Sequence, residues 1–277
     1  MDKLDKIPRP RNVDYVDTSV GGIPAIVATP TEVQSDRHIL YIHGGGYVLG
    51  SPRSHIAMCA RLAKRAAATI TVIDYRLAPE HVYPAAIDDC VAAYRAIIAD
   101  IDPALVTIAG DSAGGGAALA TIGALKPAGD PLPGAVYVLS PWTDLTASGE
   151  SVVTRAPFDP MFDGNGLLDA ATTYAGDTPL DDPGVSPLFA DPTGYPPTLI
   201  QTGMDEILLS DSIRLAERYQ AAGVDVRLDL RDDLWHVYPM LAGYMPEATD
   251  ALIRAAVFIR EKTPAPLPGT HKVAVPA

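Results

Sequence analysis

The sequence predicts an α/β protein with a mostly parallel central sheet and helices on both faces. Three observations carry this. Short apolar, β-branched runs recur along the chain: HILYI at 38–42, ATITVID at 68–74, LVTIA at 105–109, AVYVL at 135–139. Segments of helical periodicity lie between them, and strand–helix alternation marks a parallel sheet. The runs are continuously apolar, as in strands covered on both faces.

The elements follow in order. A glycine pair, Gly21-Gly22, separates strands at 13–17 and 24–28, and such pairs suit the primed turns of antiparallel hairpins. The strand at 38–42 precedes a helix at 53–68, and the strand at 68–74 a helix at 84–100 with proline in its first turn. The strand at 105–109 precedes a helix of small residues at 113–125. Strands at 135–139 and 197–201 flank a long insertion, 143–195, rich in Asp, Pro and Gly, with helical patches at 150–155 and 164–174. An insertion of that length between sheet strands covers a site or binds something. A helix at 212–222, a strand at 224–230 and a helix at 247–261 complete the pattern, and the proline-rich tail from Thr263 is expected to be poorly ordered. Asp211 is expected to cap the helix that follows it.

With 21 basic and 34 acidic residues the net charge is -13. That argues against a nucleic-acid partner and against an anionic membrane surface, both of which need a basic footprint. Two cysteines, Cys59 and Cys90, lie in apolar helical contexts without metal-ligand spacing, so they read as buried free thiols. No metal or cofactor is expected. The polar start, MDKLDKIPRPRN, has no apolar h-region, and no run of about 18 apolar residues occurs, so a cytoplasmic location is expected.

VTIAGDSAGGG, residues 106–116, carries the chemistry. It contains G-x-S-x-G, which is weak alone but here follows an apolar strand and opens a small-residue helix, the context that presents a nucleophilic serine. Ser112 is that serine. It needs a base, and in the order serine, acid, histidine only His236 and His271 qualify. His271 lies in the proline-rich tail, which leaves His236. The acid belongs after the strand at 197–201, where Asp205 and Glu206 stand. Asp205 comes first and is taken as the acid; Glu206 is read as facing solvent. A second glycine-rich strand end, His43-Gly44-Gly45-Gly46, suits an oxyanion hole, because glycine lets bare backbone N–H groups approach a ligand. His43 precedes the serine and is expected to brace this loop by hydrogen bonding rather than act as base.

HGGG (43–46), DYRLAPE (74–80), YPAAIDD (83–89), GDSAGGG (110–116) and SPWTDL (140–145) resemble the hormone-sensitive-lipase-like, bacterial family IV esterases of the α/β-hydrolase superfamily. DP (159–160), SPL (186–188), YPP (195–197), MDEILLSD (204–211) and the late histidine continue the match over roughly 13–262. The resemblance implies an α/β-hydrolase fold in a single domain, 1–277, with a small helical cap inserted at about 146–195. The N-terminal cap usual in the family is reduced to 1–12. It implies Ser112, Asp205 and His236 as the triad and Gly44, Gly45, Gly46 and Ala113 as the oxyanion hole. It also implies that Asp74, Arg76, Glu80 and Asp88 are structural anchors.

The expected activity is hydrolysis of short- to medium-chain acyl esters through an acyl-enzyme, on a small-molecule ester. A lactone or amide hydrolase with the same triad is the alternative, and a non-catalytic small-ligand receptor on this fold the remote one. Asp111, Tyr47, Met161, Phe162 and Trp235 are the expected pocket residues. The resemblance further implies a homodimer through 224–230 and 247–261.

Overall fold

Gly21 and Gly22, at φ 62° and 85°, close the two-residue turn that pairs Val20 with Ile23. They join β1 (Val13–Val20) to β2 (Ile23–Pro30), the hairpin expected from the sequence. The remaining strands are β3 (His38–Ile42), β4 (Thr69–Ile73), β5 (Val106–Asp111), β6 (Ala135–Leu139), β7 (Thr198–Gly203) and β8 (Val226–Arg231). The computed structural model describes residues 7–33, 35–162 and 164–264. Its described strands form one sheet in the order β1-β2-β4-β3-β5-β6-β7-β8, antiparallel through β1, β2 and β4 and parallel from β4 to β8.

The helices are α1 (Pro52–Ala66), α2 (Ala85–Ile98), α3 (Ala113–Ala128), α4 (Ser151–Thr154), α5 (Leu167–Ala175), α6 (Leu209–Ala221) and α7 (Pro246–Lys262). Two apolar cores form, one on each face of the sheet. Met58, Leu62, Leu252 and Phe258 of α1 and α7 build one; Cys90, Tyr94, Leu119, Ile122 and Leu215 of α2, α3 and α6 build the other. Every β3, β5 and β6 residue is buried, which is why these strands read as unbroken apolar runs. Ser51 caps α1 with a reciprocal capping box to Ser54, so the helix starts one residue ahead of the expected bound, at Pro52.

Three expectations are corrected. Asp211 does not cap a helix: it is buried inside α6 and accepts the backbone N–H groups of Thr143 and Asp144 at 2.7 and 2.9 Å. Asp74, Glu80 and Asp88 are exposed; the anchor is Asp89, buried and bidentate with Arg76. Thr263 is buried and receives the Arg37 guanidinium on its carbonyl at 2.9 Å, which fixes the end of α7. The tail beyond 264, with His271, and residues 1–6 of the segment expected as a reduced N-terminal cap lie outside the described residues.

Candidate active site

Ser112 stands between β5 and α3 at φ 52° and ψ −125°, a conformation L-residues rarely hold. Backbone bonds on both sides impose it. The Ser112 N–H donates to Leu139 O at 2.9 Å, and its carbonyl accepts the N–H groups of Trp142 at 2.9 Å and Gly116 at 3.1 Å. A Cβ at Gly114 would overlap the carbonyls of Ile42 and His43, so only glycine lets α3 start this close to β3. The tight turn lifts Ser112 into a cavity at the carboxyl ends of the strands, where open α/β sheets bind ligands.

His236 reaches the same cavity from the loop after β8. Its Nδ1 faces Glu206 Oε1 at 3.4 Å, and both side chains are buried. The other Glu206 oxygen accepts Ser140 Oγ at 2.7 Å and the Gly203 N–H at 3.1 Å. Ser140 Oγ in turn accepts the Val237 N–H at 3.1 Å, so one hydroxyl ties the carboxylate to the residue after the histidine.

Asp205 is therefore corrected as the partner of His236. Its backbone N–H bonds to Leu234 O, and its half-exposed carboxylate turns to Arg155, 3.8 Å away. Adjacent residues leaving a strand end project to opposite sides, and here the second acid, not the first, points inward. The sequence held one signal for this: Glu206 adjoins the apolar run Ile207-Leu208-Leu209, all buried.

The glycine loop offers fewer amides than the sequence suggests. The Gly44 N–H is already given to Asp111 Oδ1 at 3.1 Å, which corrects Gly44 as an oxyanion donor. Gly45, Gly46 and Ala113 present N–H groups that have no acceptor among the described residues. Gly45 sits at φ 130° with its α-carbon against the Leu49 carbonyl, a place no side chain fits.

Beneath the loop lies a buried polar cluster. Asp111 accepts Tyr41 OH at 2.8 Å and Gly44 N–H on one oxygen and faces His55 Nε2 at 3.3 Å with the other. Burial alone would raise the Asp111 carboxyl. The opposing pull of His55, joined by the bonds from His55 and Tyr41, outweighs it and holds the group below the ordinary carboxylate range. His43 does brace the loop: its Nδ1–H donates to Gly44 O at 2.9 Å and its ring stacks on Tyr75 at 4.4 Å. Burial, then repulsion from His55, lowers His43 to about 3, so it stays neutral. Neither His55 nor its tie to Asp111 had a signal in the sequence.

The cavity has a volume of about 410 Å³, within the range of small-molecule sites. Apolar side chains dominate its walls: Val48, Leu49, Met161, Phe162, Leu208 and Trp235 among them. Met161, Phe162, Trp235 and Asp111 thus line it, Asp111 with both oxygens already engaged. Tyr47 does not. It is buried and stacks on Tyr174 at 3.7 Å, inside the core. The Phe162 ring meets the His236 ring edge-on at 5.1 Å. Among the described residues no cluster of His, Cys, Asp or Glu could hold a metal ion, and no helix is long and apolar enough to cross a membrane.

A mostly parallel sheet, a serine on a strained strand-to-helix turn and a late histidine on a buried carboxylate define the α/β-hydrolase class of protein. A family model described as alpha/beta hydrolase fold matches residues 39–240, and the chain belongs to that family. It is 40% identical over 231 residues to an acetyl-hydrolase of Streptomyces hygroscopicus, spanning 83% of this chain and 77% of that one. It is 39% identical to an esterase of Acinetobacter venetianus, over 79% of this chain and 73% of the relative. Among solved structures, an esterase from the bacterial hormone-sensitive lipase family superposes with a TM-score of 0.93 at 40% identity, over 95% of this chain and 89% of that one. The chain is a carboxylic ester hydrolase of the hormone-sensitive-lipase-like group.

Proposed function

We propose that this enzyme hydrolyses short- to medium-chain acyl esters of small alcohols, with Ser112 as nucleophile, His236 as base and Glu206 as the orienting acid. The observation that carries the reading is an apolar cavity of about 410 Å³ lined together by Ser112, His236, Gly45 and Gly46. Ser112 Oγ attacks the ester carbonyl as His236 takes its proton. The carbonyl electrons move onto oxygen, and the N–H groups of Gly45, Gly46 and Ala113 hold the resulting oxyanion. Collapse breaks the ester C–O bond, His236 protonates the departing alcohol, and water hydrolyses the acyl-enzyme by the same steps. Glu206 fixes the imidazole and stabilises the imidazolium. The walls favour an uncharged acyl chain, because among the described residues no lysine or arginine lines the cavity.

The insertion at about 146–195 serves in this reading as the cap of a single domain. A homodimer through β8 and α7 belongs to the same reading. Among the described residues β8 pairs only with β7, and Leu228, Ile253 and Val257 are exposed there. Light scattering after size exclusion tests it. A cytoplasmic location suits the two buried free thiols.

Stopped-flow hydrolysis of p-nitrophenyl butyrate tests the mechanism. The wild type gives a burst of p-nitrophenol equal to the enzyme concentration, and Ser112→Ala gives none. A burst that survives in the variant at the wild-type rate overturns it. Rates from acetate to decanoate then set the depth of the pocket.

A further inference from the structure

We propose that Asp159 is a positioning residue that sets acyl-chain selection by tying the cap wall of the pocket to the turn that carries Glu206; this rests on the ester-hydrolase reading above. Its half-buried carboxylate is divided between two segments. One oxygen accepts the N–H groups of Met161 at 2.8 Å and Phe162 at 3.1 Å. The other accepts the N–H of Ile207 at 2.9 Å, the residue directly after Glu206. Met161 and Phe162 are two of the cap side chains on the cavity, with Leu167 and Ala170 of α5 beyond them, and the Phe162 ring meets that of His236. They need such an anchor. They are 54% and 39% exposed, so packing does little to fix them.

The neighbouring contacts show why the anchor falls to Asp159. Farther back, Ser151 and Ser210 exchange backbone and hydroxyl bonds at 3.0 and 2.9 Å, and Ser151 Oγ donates to Ile207 O at 2.6 Å. Those bonds hold the start of the cap, ten residues before the wall residue Met161. Arg155 and Asp205 also span the gap, but at 3.8 Å between partly exposed groups, an arrangement that contributes little. At the wall itself, three amide donors converge on one carboxylate, the stronger class of bond. A shift of the wall relative to Glu206 widens or closes the space beside His236, where the acyl chain lies.

The test uses Asp159→Asn and Asp159→Ser. Asparagine places an NH2 against one of the amide donors. Serine can still close the local turn with its hydroxyl but is too short to reach Ile207. kcat and KM are measured for p-nitrophenyl acetate and hexanoate, with fluorophosphonate labelling of Ser112 as a check on the nucleophile. The expected result is a fall of about tenfold in the hexanoate-to-acetate ratio of kcat/KM, carried by KM. Acetate turnover and labelling stay within about threefold, and Arg155→Gln leaves the ratio within about twofold. Either Asp159 variant alone carries the test if the other does not fold. An unchanged ratio, an equal loss on both esters, or failure of both variants to melt cooperatively overturns the proposal. A wild type that neither labels nor turns over any ester overturns the ester-hydrolase mechanism instead.

Discussion

Glu206 and Asp205 differ by one methylene and one position, and the structure gives them opposite environments. Glu206 is fully buried with three donors around it; Asp205 faces an arginine at the surface. Glu206→Gln keeps the size and removes the charge, so the amide no longer stabilises the imidazolium. The expected loss is about 10²- to 10⁴-fold in kcat with KM little changed. Asp205→Asn is expected to stay within about threefold. Steady-state kinetics on p-nitrophenyl butyrate check both, and the reverse pattern would restore Asp205 as the acid. Sequence order alone could not separate these two, because strand-end geometry decides which neighbour points inward. Ser112 and His236 were legible since each is fixed by a pattern: the G-x-S-x-G turn, and a chain order that left one internal histidine.

At the scale of the element, the glycine loop was legible in kind and not in detail. Three glycines after a buried strand announce backbone amides meant for a ligand. Which amides remain available depends on Asp111, a side chain 67 positions away that takes the Gly44 N–H. No local pattern reports such a contact. The structure also ranks the glycines. Gly45 has φ 130° and no room for a Cβ beside the Leu49 backbone, whereas Gly46, at φ 63°, has its nearest neighbours 3.7 Å from a Cβ. Gly45→Ala is expected to lower kcat by about 10²-fold or more, because the loop must shift away from the oxyanion. It should also lower the melting temperature by several degrees, since strain of about 1–3 kcal/mol is added at that backbone position. Gly46→Ala should cost less in both respects. Equal effects in kinetics and thermal melts would mean that the two positions are not distinguished as the geometry requires. The strands and helices themselves were legible to within about three residues, because continuous apolar runs and helical periodicity are local signals. The cap was legible as an interruption with two helical patches, found as α4 and α5, but not in its ties: Asp159 to Ile207 and Ser151 to Ser210 join segments about 50 to 60 positions apart.

For the whole molecule, the buried titratable groups set how stability moves with pH, and two of them act in opposite directions. Asp211 is raised to about 7, chiefly by burial and against the pull of the Thr143 and Asp144 amides. A carboxyl with a folded value above its unfolded one, about 3.9, stabilises the fold when protonated, and that contribution is lost as pH rises toward 7. His38, buried and bonded to Thr71 Oγ1 at 2.8 Å, is lowered to about 4 by burial. A histidine held neutral stabilises the fold above its unfolded value of about 6.5, and that contribution is lost as pH falls toward 4. With a net charge of -13, many surface groups also titrate over this span, so the melting temperature of the wild type alone cannot isolate either effect. Differences between variant and wild type can. Asp211→Asn keeps an acceptor for both amides and removes the titration. Its melting temperature relative to wild type should rise by about 5 °C between pH 5 and pH 8. His38→Gln keeps a partner for Thr71, and its relative melting temperature should rise by a similar amount, about 5 °C, between pH 7 and pH 4.5. Calorimetry at these four pH values reads both differences. Curves that run parallel to wild type would show that neither group is held away from its unfolded protonation state, and opposite slopes would show that burial sets both.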